Sequence, residues 1–319
     1  MTAGRQADSA VGELASHGLV AVELQDFLVR EFPPRTCLLA PFLPQQGLVM
    51  IHAPRGIGKT HVSIGIGVAV ASGSTFLRWS ALAPAGVLLI DGEMPASVLQ
   101  ERVRRAIAAS PAGPAAPLRI VTPDLNAEHG MPDLATVGGQ ALVDEHVSDD
   151  TKLIILDNLS SLARSGVENE GEGWLPMQTW ALRHRAAGRS VLFIHHSGKN
   201  GAQRGTSRRE DVLDSVLALR RPTDYSPTQG CRFEVHYEKT RGFHGEPAAA
   251  FSASLDSDVN GRQLWITHDL DASNEKRILE LSGDGMKPAE IAQEVGVSRA
   301  TVYRRLKQGG LNGAHNGLT

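Results

Sequence analysis

Val49–Thr60, VMIHAPRGIGKT, is an apolar strand pattern running into a loop that ends in Gly58, Lys59 and Thr60, with the small-residue run HVSIGIGVAVA (61–71) behind it. Strand, glycine-bearing loop and helix in that order make a Walker A motif, in which successive backbone N–H groups and a helix N-terminus wrap the phosphates of a nucleotide. Gly56 and Gly58 let the backbone curl where a Cβ would intrude, Lys59 offers an ammonium to the β- and γ-phosphates, and Thr60 is the residue type that ligates Mg2+. The nucleotide-binding set read from the motif is Ala53, Pro54, Arg55, Gly56, Ile57, Gly58, Lys59, Thr60 and His61. Ala53 stands where the motif has its first glycine, which predicts a slightly different entry into the loop rather than loss of binding.

Around this motif the chain has the order of an α/β protein. VLLID (87–91), LRIVT (118–122), KLIILD (152–157) and SVLFIH (190–195) are short apolar runs of the kind that form strands buried on both faces, and helix-compatible stretches alternate with them. That alternation predicts a mostly parallel sheet with helices on both faces. Leu19–Phe32 has helical spacing and meets Pro33 and Pro34, which stop it. Later, DSVLALRR, CRFEVHYEKTRG, AAAFSASL and RQLWITHD alternate with period two and extend the sheet at one edge. RSGVENEGEG (164–173) reads as a mobile flap, and the glycine-rich basic stretch after His196 as a long functional loop.

Composition sets broad bounds. The 319 residues carry a net charge of -3, with 41% hydrophobic and 21% charged residues, as in ordinary soluble proteins, and no apolar run is long enough to span a bilayer. The N-terminus lacks the basic start and apolar stretch of a signal peptide, so a cytoplasmic location with no membrane association is expected. Cys37 and Cys231 lie far apart with no His or Cys at metal-ligand spacing, which points away from a disulfide framework or a zinc site.

Chemistry for a bound nucleotide is available at the strand ends. Asp157 closes an apolar strand as a Walker B acid would, placing it with Thr60 at a metal. The residue after it is Asn158, so the catalytic Glu that often follows such an acid is missing; Glu93, two residues past VLLID, is the carboxylate that parallel topology brings to the same sheet edge, and it is the candidate general base. His195 and His196 end the next strand, and His196 is carried as the candidate γ-phosphate sensor. Lys239 and Arg241 end a late strand and enter a glycine turn, where a cation could project from one subunit.

The order FPPR, APRGIGKT, FLRW, GVLLIDGEMP, LIILDNLSSL, VLFIHHSGK, RGTS and EKTRGFHG resembles the RecA-type ATPases of the RepA-like hexameric helicase group, in the broader family with DnaB-type helicases and KaiC, over roughly residues 20–268. The resemblance implies a RecA-like P-loop NTPase core in a homo-hexamer or other ring, with ATP and Mg2+ held between adjacent subunits. It matches the catalytic Glu to Glu93, the sensor to His195 or His196, and the Lys-x-Arg pair that reaches the neighbour's site to Lys239 and Arg241, with Arg204 a second candidate finger. It also implies that the loop bearing Lys199, Arg204, Arg208 and Arg209 faces a central channel and contacts a nucleic-acid backbone, although the loop has no aromatic residue for base stacking.

From Asn274 the pattern changes to three short helices. PAEIAQEVGVSRATVYRRLKQ (288–308) has helix-turn-helix spacing, with Gly296 at the turn and Ser298, Arg299, Thr301, Tyr303, Arg304 and Arg305 on or near the recognition helix; it is similar to the small domains of resolvases and response regulators. Residues 276–308 hold seven Lys or Arg against four Asp or Glu, a local +3 that favours DNA. The expected organisation is a segment with one helix (1–30), a RecA-like ATPase domain (31–270), a small all-α DNA-binding domain (274–310) and a disordered tail (311–319). The expected function is an ATP-hydrolysing, ring-forming DNA motor, a replicative helicase or helicase-like loader of a plasmid or mobile element; the alternatives are an ATP-dependent regulator of transcription or replication without unwinding activity, and a recombination ATPase.

Overall fold

The structure is a computed structural model that describes residues 20–32, 34–165, 171–197, 211–259 and 262–315. It divides into two units, Met1–Arg35 and Thr36–Thr319. In the first, α1 (Leu24–Val29) is much shorter than the Leu19–Phe32 periodicity predicts. It buries none of its residues, and a helix that short has no packing to offset the cost of nucleation.

The second unit opens with a small hairpin, β1 (Cys37–Leu39) and β2 (Leu43–Pro44), and continues through β3 (Leu48–Ala53), α2 (Lys59–Ser72), the hairpin β4 (Thr75–Phe76) and β5 (Trp79–Ser80), β6 (Gly86–Asp91), α3 (Ala96–Ala109) and β7 (Leu118–Val121). Then come α4 (Val137–Asp144), β8 (Thr151–Asp157), α5 (Leu159–Leu162), α6 (Gly171–Ala186), β9 (Ser190–His196) and the late strands β10 (Ser215–Arg220), β11 (Arg232–Thr240), β12 (Phe251–Ser257) and β13 (Gln263–Asp269). The chain closes with α7 (Leu270–Gly283), α8 (Pro288–Val295) and α9 (Arg299–His315).

Nine strands form one sheet in the order β13-β12-β11-β10-β3-β9-β8-β6-β7. From β10 to β7 every neighbouring pair is parallel; β11, β12 and β13 add an antiparallel edge. This is the expected α/β core with a small all-α C-terminal region. Val49, Ile51 and Ala53 face one apolar layer, built mainly with α2 and α3, while Leu48 and Met50 face the other, built with α4, α5 and α6. Both faces of β3 are therefore buried, which is why its sequence is apolar except at His52.

Several boundaries differ from expectation. β10 extends the sheet as expected, between β3 and β11, but without the alternation: all but its last residue are buried, and it pairs in parallel with β3 and antiparallel with β11, so DSVLALRR is a core strand. Within the expected flap, α6 already begins at Gly171, and residues 166–170 lie outside the described residues. The last helix runs to His315, beyond the 310 boundary at which a tail was expected. α7 starts at Leu270, immediately after β13 ends at Asp269, so no linker precedes the helical region.

α2 is apolar all round and almost wholly buried, the pattern of a helix enclosed on every side. Gly65 is required there because a Cβ would run into the Phe76 ring of the β4 strand. A second close approach lies at the start of β6, where a Cβ on Gly86 would meet the Asp150 carbonyl at the point where the β6–β8 register shifts. Gly86→Ala should destabilise the unit by about 1–3 kcal/mol, as overpacking between backbones does. An unchanged thermal midpoint would show that β6 and β8 separate there without cost.

Candidate nucleotide site and helix-turn-helix

β3 delivers the chain to the loop 54–58 and α2 takes it away. Gly56 and Gly58 both have positive φ, 73° and 116°, conformations that L side chains rarely adopt. At Gly58 a Cβ would also collide with Cys231 Sγ, whose thiol donates to Ile57 O at 3.6 Å. Sequence reasoning treated Cys231 as an ordinary thiol; its position against this loop follows from β11, which starts at the next residue.

Lys59 is buried and its Nζ donates to Ala53 O at 3.1 Å and Pro54 O at 2.8 Å. Burial lowers its pKa to about 8, against the opposing pull of Asp157 and Glu93. Asp157 is 3% exposed at the end of β8, and its Oδ2 accepts a 2.7 Å bond from Ser63 Oγ on α2. Burial pushes its carboxyl up to about 6; the Ser63 and Thr60 hydroxyls pull it back and the neighbouring Asp91 raises it further. Asp91 and Asp157 are paired in register on adjacent strands.

Asp91 is a residue that sequence reasoning passed over. Its Oδ1 accepts the backbone N–H groups of Glu93 (3.0 Å) and Met94 (2.6 Å), while Gly92 N donates to Asp157 O at 2.8 Å. The DGEMP turn is thus pinned to β8, and it sets Glu93 at the mouth of a cleft. That cleft, of about 280 Å3, is lined by Gly56, Gly58, Lys59, Thr60, His61, Glu93, Arg102, Asn158, His196, Gly230 and Cys231. Loop, general-base candidate and sensor candidate therefore share one space, as the strand-end argument predicts. Of the two histidines, His196 is the one that lines it, with Nε2 3.9 Å from Glu93 Oε1.

Arg102 and Asn158 were not assigned to the site from sequence. Arg102 lies on α3, whose register over the cleft is set only by tertiary packing, and with Arg105 it reinforces the effect of burial in lowering His61 to about 4. Thr60 and Asp157 fit a magnesium ion: they lie side by side below the loop, and such ions take one or two protein oxygens and complete their shell with phosphates and water. Among the described residues no group of three or more His, Cys, Asp or Glu side chains could hold a metal by itself.

A second network crosses the sheet next to the loop. His52 shares a 2.9 Å bond with Ser197 Oγ through Nδ1 and a 2.7 Å bond with Glu238 Oε2 through Nε2, and Arg220 donates to Glu238 Oε1 at 2.8 Å. His52 can reach past β10 because the residue opposite it there is Ala218. Glu238 immediately precedes Lys239 on β11. Neither Lys239 nor Arg241 lines the cleft; Arg241 is exposed, with its N–H bonded to Asp214 O (2.8 Å) and Nη2 to Asp211 O (2.6 Å) of its own chain. Lys199, Arg204, Arg208 and Arg209 lie outside the described residues.

In the C-terminal region Ile278, Leu281, Ile291, Ala292 and Val302 form a small apolar centre of their own. α8 ends at Gly296 in the left-handed conformation, and Ser298 Oγ accepts Thr301 N at 3.1 Å, capping α9 as its sequence predicts. Arg299, Tyr303 and Arg304 are exposed on α9. Arg305 departs from expectation: it faces Glu275 of α7 at 3.4 Å rather than standing open with the other recognition-helix residues. The Thr301 hydroxyl is likewise engaged with Ser298.

Residues 16–202, more than half of the chain, match the family model of an AAA domain, and residues 270–314 match that of a homeodomain-like domain. No curated protein matches. Among solved structures, a KaiC-like protein from the hyperthermophilic archaeon Pyrococcus horikoshii OT3 is similar at 13% identity and a TM-score of 0.49, over 75% of this chain and 99% of that one. Among the described residues no helix is long and apolar enough to cross a membrane.

Burial pushes the Cys231 thiol up to about 11, so at pH 8 only about one molecule in a thousand carries the reactive thiolate there. Its alkylation should therefore be slow, keep accelerating beyond pH 10, and slow further when nucleotide is added. A rate that levels off near pH 9, or that ignores nucleotide, would place this thiol away from the loop.

Proposed function

The chain belongs to the AAA domain family of P-loop ATPases, and from that premise we propose that it is a ring-forming, DNA-associated ATPase motor, a replicative helicase or helicase-like replication protein of a plasmid or mobile element. The observation that carries the reading is the single cleft in which Lys59, Thr60, Glu93 and His196 converge. In it the loop amides and Lys59 grip the β- and γ-phosphates, with Lys59 exchanging its bonds to Ala53 O and Pro54 O for phosphate oxygens. Thr60 and Asp157 hold Mg2+, which supplies charge neutralisation on the phosphates. Glu93, 52% exposed on its side chain and so open to water, accepts a proton from the attacking water, and His196 senses the γ-phosphate.

Lys239 and Arg241 stand outside their own cleft, which suits cations that serve the neighbouring subunit of a ring. Arg299, Tyr303 and Arg304 present a basic, exposed helix face to DNA, consistent with the homeodomain-like match at 270–314. A second reading, an ATP-dependent regulator without unwinding activity, gains from the absence of a linker between β13 and α7, which fixes the DNA-binding helices to the ATPase sheet.

ATP turnover measured with no DNA, single-stranded DNA and duplex DNA, alongside solution mass with and without nucleotide, separates these readings. Stimulation by single strands together with nucleotide-dependent assembly is expected. Stimulation by duplex alone would favour the regulator. Glu93→Gln should keep nucleotide binding and lose turnover by about 10²–10⁴-fold, the range for a general base; unchanged turnover removes Glu93 from that role.

A further inference from the structure

We propose that the loop from Arg221 to Cys231, between β10 and β11, couples the nucleotide loop to the turn of the helix-turn-helix, so that nucleotide and DNA alter each other's affinity by the same factor. The proposal rests on the reading that the loop binds ATP and the helices bind DNA. Its basis is that one short segment touches both sites.

At one end, Arg221 Nη2 donates to Gly56 O at 2.8 Å, and Cys231 Sγ donates to Ile57 O at 3.6 Å. The segment thus holds two successive carbonyls of the phosphate loop from outside. The Arg221 guanidinium lies 3.8 Å over the Tyr225 ring of the same segment, and its enclosed Nη1 has no hydrogen-bond partner among the described residues. Among the described residues its guanidinium is held by the Gly56 carbonyl and by the ring that moves with the segment.

At the other end, Thr223 Oγ1 donates to Glu294 O at 3.1 Å. Glu294 is in the last turn of α8, where the carbonyls have no partner within the helix, so a hydroxyl from the ATPase segment satisfies one of them. The segment also lies beside the turn itself: a Cβ on Gly296 would be in ordinary van der Waals contact with Thr223 Cγ2, at 3.5 Å. A single residue, Pro222, lies between Thr223 and Arg221, and a single residue, Asp224, between Thr223 and Tyr225.

A phosphate entering the loop recruits its amides and draws Lys59 off the Ala53 and Pro54 carbonyls. The peptide whose carbonyl Arg221 holds, between Gly56 and Ile57, is part of that rearrangement. Any shift in it is felt by Arg221, by Thr223, and by the end of α8 that sets the angle of α9. The coupling has the physical content that linkage requires, two sites and a differential contact that both ligands bias, and it is reciprocal.

The test uses the full chain, a fluorescent non-hydrolysable ATP analogue and a labelled mixed-sequence duplex. Each ligand's affinity is measured with and without the other, and hydrogen exchange at the Val295–Ser298 amides is followed as the analogue is added. In the wild type, affinity should change about fivefold or more and equally in both directions, with altered exchange at the turn. Thr223→Val should bind each ligand alone as the wild type does and lose both effects, and Thr223→Ser, which keeps the hydroxyl, should retain them.

Affinities independent of the second ligand together with unchanged exchange would overturn the proposal while leaving the ATPase and DNA-binding readings intact. A coupling that survives in Thr223→Val would overturn the route through this segment. Absence of duplex binding with exchange that still responds to the analogue would sink the DNA reading and support the coupling.

Discussion

A carboxylate with almost no access to water, Asp157, is the point on which the site turns. Burying a charge without partners is costly, and the surroundings of Asp157 are organised around that cost. Ser63 reaches it from α2, Lys59 supplies the opposing charge, and the backbone N–H of Gly92, the residue just after β6, donates to its carbonyl. These contacts join β8, α2 and β6 at their common edge. The phosphate loop and the turn bearing Glu93 are consequently positioned relative to one another by this one buried residue.

The second carboxylate, Asp91, shows how two acidic side chains are kept apart within one short turn. Asp91 faces inward and spends its oxygen on two backbone amides; Glu93, two residues on, is left with its side chain at the cleft. The DGEMP turn thus holds a carboxylate bonded to its own backbone and, two residues on, a carboxylate open to the cleft. The His52, Glu238 and Arg220 network crosses β10 where the residue opposite His52 is Ala218, and it ties the strand carrying Lys239 to the strand that enters the phosphate loop.

The helical region adds a constraint that its own sequence does not contain. Its apolar centre would satisfy a small independent domain, but α7 grows directly from β13 and the end of α8 is bonded to Thr223. Arg305, by sequence part of a basic recognition face, is drawn to Glu275 across the bundle. The exposed basic face is accordingly narrower than the run of arginines implies, and it is held by the ATPase unit at two places.

The sequence by itself determined the parallel core, the phosphate loop, the acid at the end of β8, Glu93 and the helix-turn-helix, because each depends on local rules: unbroken apolar runs for strands buried on both faces, glycine where φ is positive, a capping serine before a helix. What only the tertiary structure decided are the relations between distant segments. That β10 joins β3 in parallel as well as β11 in antiparallel, that Arg102 and Cys231 reach the loop, that His196 and not His195 lines the cleft, and that Thr223 caps α8 all depend on strand order and on the face a helix turns inward. Those are set by the sum of contacts over the whole sheet, and a single stretch of residues carries no local signal of them.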